Sequence, residues 1–148
     1  MSEQPYEIDL VKCETDDGTD WHESQLATLT GLPKEEIRRR IPKEYWGKKR
    51  WRSRGYIDCA RAMGFNCNPR FIKWDATTPW PCIMRVQTPE IKNGWWSLIY
   101  NQGIVYDVWN WPHMRELSRW QAEHPECRIT SMLQIWMSVT SLLLPSER

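Results

Sequence analysis

Five cysteines and three histidines are the residues best suited to thiol catalysis or to a thiolate–imidazole metal site in this 148-residue chain. Cys13, Cys59, Cys67, Cys82 and Cys127 form no CxxC pair, and His22, His113 and His124 stand at no metal-ligand spacing from them. The pattern therefore predicts no metal and no cofactor, and leaves thiol catalysis to consider, in which a thiolate attacks and an imidazole takes the proton. No histidine is placed to activate Cys13. Cys59 and Cys82 fall on faces expected to be buried, where a thiol packs as a small apolar group. The default for His22 is a capping or surface role, since consecutive helical residues diverge by about 100° and Trp21 beside it is no nucleophile. One carboxylate stands apart, Asp107, in a segment crowded with indoles.

That segment, Gly94 to Trp111, reads GWWSLIYNQGIVYDVWNW. Two runs of β-branched and aromatic residues, Trp95 to Tyr100 and Ile104 to Trp109, flank Asn101-Gln102-Gly103, which predicts a hairpin. With a two-residue loop at Gln102-Gly103, Asn101 pairs with Ile104. Trp96, Leu98, Asp107 and Trp109 then share one face. With a three-residue loop, Asp107 shares its side with Trp95 instead.

The surrounding elements change period once along the chain. Tyr6 to Cys13 fits an edge strand, followed by an acidic loop. Asp20 is a candidate N-cap for a helix from Trp21 to Thr30, stopped by Gly31, with Leu26 and Leu29 as its buried side. Pro33 opens a second helix over Lys34 to Arg40. Pro42 to Ser53 is a basic, aromatic loop, and a third helix runs from about Gly55 to Met63. Strands are expected at Arg70–Trp74, Cys82–Gln87, the hairpin and Arg128–Met137, with a helical insertion over 112–126 carrying Met114, Leu117 and Trp120 on one side. Helices first and an antiparallel sheet afterwards make an α+β fold in a single domain, 1–148. Its parts are 1–19 (strand and acidic loop), 20–64 (helical) and 69–138 (sheet).

Twenty basic and nineteen acidic residues nearly cancel, so bulk charge implies no partner. The distribution is uneven. Residues 1–33 are acidic, whereas 34–54 concentrate lysine and arginine, and the simplest expectation is that the two stretches attract or are solvated. Eleven tryptophans are far more than a domain of this size usually has; most are expected in the core, and the excess favours a stacking or recognition surface. No apolar N-terminal signal and no run long enough to span a membrane appear, so reduced thiols in a cytoplasm are expected.

The order of these pieces resembles papain-like cysteine peptidases of the C39-like kind, including small bacteriophage versions. The resemblance rests on DWHESQLATLTGLPKEEI, RGYIDCARAMGF and GWWSLIYNQGIVYDVW, and spans roughly residues 20–137. The family opens its helix with Asp-Cys, starts its later strand with Gly-His and closes the hairpin on Tyr-Asp. Carried over by position, Trp21 stands where the nucleophile belongs and Trp96 where the histidine belongs (Trp95 with the longer loop). Asp107 keeps the place of the orienting acid. Two of three roles are unfilled, which implies a pseudoenzyme with a degenerate site. Trp21 and Trp96 then either plug the groove between helix and sheet or line a pocket for a flat ligand, and apolar burial favours the plug.

Function is accordingly expected on the outside. The candidate binding residues are Trp46, Lys48, Lys49, Arg50, Trp51, Arg52 and Arg54 in the basic loop, with Trp95, Trp109 and Trp111 on the hairpin. The leading expectation is a non-catalytic, phage-encoded protein that binds and inhibits a host protein in the host cytoplasm. The alternatives are a nucleotide or small-molecule binder using the Trp-lined cleft, a nucleic-acid binder through 38–54, and a residual cysteine hydrolase.

Overall fold

A computed structural model describes residues 21–45, 52–89, 96–107 and 114–136. Within them lie four α-helices: α1 (Trp21–Thr30), α2 (Lys34–Arg40), α3 (Ser53–Ala62) and α4 (Leu117–Glu123), with a 3-10 turn at Lys43–Tyr45. The strands are β1 (Asn66–Cys67), β2 (Ile72–Lys73), β3 (Cys82–Gln87), β4 (Trp96–Asn101), β5 (Ile104–Tyr106), β6 (Met114–Glu116) and β7 (Arg128–Trp136). Together they form an antiparallel sheet in the order β1-β7-β3-β4-β5-β6, with β2 also paired to β7. The architecture is α+β.

Backbone chemistry ends the elements where the sequence suggests. Gly31 at φ 75° and Gly64 at φ 89° take the left-handed conformation that closes α1 and α3. The Gly31 amide donates to the Ala27 carbonyl at 2.8 Å. Asn101 pairs with Ile104, so the hairpin has the two-residue loop, and both Gln102 (φ 46°) and Gly103 (φ 90°) lie at positive φ as a type I′ turn requires.

Three expectations need correcting. Met114 to Glu116 is not helical: it pairs with β5 as an edge strand, because Ile104–Tyr106 would otherwise leave a row of backbone groups unpaired. Met114 is the exposed large apolar side chain of that edge, 47% accessible, and does not share a buried side with Trp120. The strand expected over Arg70–Trp74 shrinks to Ile72–Lys73, since Trp74 turns to pack edge-on against Tyr100 with ring centroids 4.9 Å apart. The helix expected from Gly55 begins two residues earlier, at Ser53.

Strict alternation along β3 separates two cores. Ile83, with Ile99, Tyr106, Leu133 and Ile135, packs beneath Leu26, Leu29, Ile37, Tyr56, Ile57 and Ala60 of the helices. Cys82, Met84 and Val86, with Leu98, Tyr100, Val105 and Met132, face the other way and meet Trp120 of α4. Both faces of the sheet are therefore covered. Helix α1 lies deep in the first layer and is buried from His22 through Leu29, so its enclosed surface extends well beyond Leu26 and Leu29. Thr28 and Thr30 are accommodated there because their hydroxyls donate back to the carbonyls of Ser24 and Leu26, each at 2.8 Å.

Candidate functional site

The first turn of α1 meets the start of β4 through four polar side chains. Gln25 donates from Nε2 to the Ser97 carbonyl at 2.5 Å, and the Ser97 hydroxyl reaches Gln25 Oε1 at 3.2 Å. The Tyr56 hydroxyl, from α3, lies 2.6 Å from Ser97 Oγ and 3.1 Å from His22 Nδ1. His22, Gln25, Tyr56 and Ser97 are each no more than 2% exposed. Hydrogen bonds among them offset much of the cost of burying hydroxyl, amide and imidazole together. His22 is consequently an interior residue, tied edge-on to Tyr56 at 5.4 Å between ring centroids, rather than a cap or surface histidine.

An arginine borders this cluster. Arg85 stands on the helix-facing side of β3, in register with Ser97 on β4 and Ser131 on β7. Its guanidinium lies 4.0 Å from the Phe71 ring centroid and donates to Ser53 Oγ at the start of α3. Phe71 in turn meets Tyr56 edge-on. Desolvation holds the guanidinium below the usual arginine range, while burial pushes the Tyr56 phenol well above its own. Tyr56 is thus a neutral hydrogen-bonding group and not a base.

The thiols are equally quiet. Burial raises Cys59 to about 12, with the nearby charges of Asp58, Glu23 and Glu44 adding to the shift. Burial also raises Cys67 and Cys82. A thiol held protonated at neutral pH is a poor nucleophile. Among the described residues no group of three His, Cys, Asp or Glu side chains is arranged to hold a metal ion, and no helix is long and apolar enough to cross a membrane.

The residues singled out in the sequence fall in different places. Trp21 opens α1. Trp96 opens β4 but packs, half-buried, against the Trp120 core on the far side of the sheet. The β4 residue that reaches α1 is Ser97, so the expected meeting of Trp21 and Trp96 across the helix–sheet groove is not what the strand register gives. Asp107 follows β5 directly and is buried. Arg54 is engaged by Asp58 one turn on (Nε to Oδ1, 2.9 Å), and Asp58 also accepts from the Tyr45 hydroxyl at 2.7 Å. Arg52 is exposed at the start of α3. Trp46, Lys48, Lys49, Arg50, Trp51, Trp95, Trp109 and Trp111 lie outside the described residues, as do Cys13 and His113.

Sequence reasoning missed Gln25, Tyr56 and Ser97. The signal available for Ser97 was alternation, but both faces of β4 carry apolar neighbours, so pattern alone did not say which face meets the helices. No protein-family model, curated protein or solved structure matches the chain.

Proposed function

We propose that this chain is a papain-like scaffold that has left thiol chemistry behind and works as a binding protein, of the kind bacteriophages use against a host protein. The observation that carries the proposal is the junction of α1 and β4. In papain-like peptidases a helix N-terminus and a strand opening converge to bring thiol and imidazole together. Here the N-terminal turns of a helix and the opening of a strand are joined through His22, Tyr56, Ser97 and Gln25, a hydrogen-bonded set with no thiol in it, which supports the reading. The protonated, enclosed states of Cys59, Cys67 and Cys82 point the same way.

With the junction filled by the protein's own side chains, recognition falls to the surface. The supply of tryptophan and arginine in residues 46–54 suits a protein partner, because these two residue types dominate interface hot spots. Crosslinking in cells of the host, followed by reconstitution with the purified partner, tests this. The expected result is a defined complex whose affinity falls at least tenfold in Trp46→Ala and Trp51→Ala. Saturable turnover of a peptide or amide substrate by the wild-type chain, lost on replacing one cysteine, would overturn the proposal.

A further inference from the structure

The hydrogen bonds at the α1–β4 junction have only one consistent direction. The Ser97 carbonyl can only accept, so the Gln25 atom 2.5 Å from it is Nε2, and Oε1 is the atom facing Ser97 Oγ. An amide oxygen can only accept as well, so the Ser97 hydroxyl spends its single proton on Gln25. Ser97 Oγ must then accept from Tyr56 at 2.6 Å. Tyr56 likewise has one proton, and with that proton committed its oxygen can only accept from His22 Nδ1 at 3.1 Å. The opposite amide orientation would press Gln25 Oε1 against the Ser97 carbonyl oxygen, two acceptors at hydrogen-bond distance.

We infer that His22 is held as the Nδ1–H tautomer, making Nε2 the proton-accepting atom of this buried ring. The chain ends on an amide oxygen that passes no proton on, so it acts as a directional lock and not as a conducting wire. Any group that engages Nε2 must bring the hydrogen: a hydroxyl, an amide N–H or an ammonium fits, and a carboxylate or carbonyl does not. His22 is therefore a positioned acceptor, set by three residues on α1, α3 and β4. The inference follows from donor and acceptor counting alone and stands apart from any kinship to thiol peptidases.

The test uses the whole chain labelled with nitrogen-15 in its imidazoles, with His113→Asn and His124→Asn leaving His22 as the sole histidine. Long-range proton–nitrogen correlation at neutral pH should show Nδ1 protonated and Nε2 unprotonated. Ser97→Ala removes the acceptor for Tyr56, whose proton then turns to His22, so the ring should switch to the Nε2–H form. Ser97→Thr keeps the hydroxyl and should keep the wild-type pattern. A wild-type ring protonated at Nε2, or at both nitrogens, would overturn the inference, and so would an Nδ1–H signal that persists in folded Ser97→Ala. The wild-type spectrum decides the tautomer even where a variant fails to fold.

Discussion

Gln25 and Ser97, 72 residues apart in the chain, exchange two hydrogen bonds between the first turns of α1 and the second residue of β4. That exchange fixes helix α1 against the sheet at the end where His22 and Tyr56 also sit. Apolar packing farther along α1, through Leu26 and Leu29, gives affinity between the layers but little directional preference. The polar contacts supply the direction.

Tyr56→Phe and Ser97→Ala should each destabilise the protein by about 1–3 kcal/mol, because each leaves a buried donor or acceptor without its partner. The two effects should not add. A double-mutant cycle by urea denaturation should return a coupling of at least ~0.5 kcal/mol, as expected for residues in one network. Additive losses would mean that the hydroxyls act separately.

Alkaline pH should loosen the fold through groups whose acid form it prefers, Cys59 and Tyr45 among them. Burial raises Cys59 from 9.0 to about 12, and the Asp58 carboxylate accepting its proton raises Tyr45 from 10.0 to about 12. Both folded values lie above the unfolded ones, so their contribution is full below pH 9 and fades as pH climbs toward 12. Denaturation midpoints measured across that window should fall, and Cys59→Ala should flatten part of the decline. A midpoint that rises with pH there would contradict the assignment.

The hairpin turn offers a gain. Gln102 sits at φ 46°, where a residue with a long side chain is strained, and its side chain makes only a 3.4 Å contact to the Pro79 carbonyl. Gln102→Asn should raise stability by a few tenths to about 1 kcal/mol, because asparagine tolerates the left-handed region and suits the first position of a type I′ turn. Gly103→Ala should lower it by about 1–2 kcal/mol for the same steric reason. Thermal melts of the two variants should move in opposite directions.

Trp120 is the anchor of α4, 2% exposed in the core on the far side of the sheet. Trp120→Ala should cost about 3–5 kcal/mol, whereas Trp96→Ala, at the half-buried margin of the same core, should cost distinctly less. Neither should alter the His22 imidazole signals, since both act across the sheet from it. A disturbance of His22 by Trp96→Ala would place that indole in the helix–sheet groove after all.

Elements with a local cause were legible in the sequence. Helix α1, helix α2, strand β3 and the hairpin follow from glycine and proline stops, short β-branched runs and turn chemistry. Elements that exist through partners were not. The edge strand Met114–Glu116 has no alternating pattern of its own and is defined by pairing with β5. The burial of His22 was hidden because α1 carries threonine, serine and glutamine around its circumference, and such a composition ordinarily marks a solvent-facing helix. Its enclosure comes from being wrapped by α2, α3 and the sheet, and its polar atoms are answered by residues distant in sequence. The two-residue hairpin loop was within reach, but the register alone could not reveal that the face bearing Ser97 is the one turned toward α1.

Cysteine reactivity as a function of pH tests most directly the claim that this junction has no thiol chemistry. Native protein would be treated with a small alkylating agent from pH 5.5 to 9 and the modified residues read by mass spectrometry. Cys59, Cys67 and Cys82 should react only after unfolding. A single cysteine that alkylates in the folded protein at a pH-independent rate near pH 6 would be an activated thiolate, and would contradict the account.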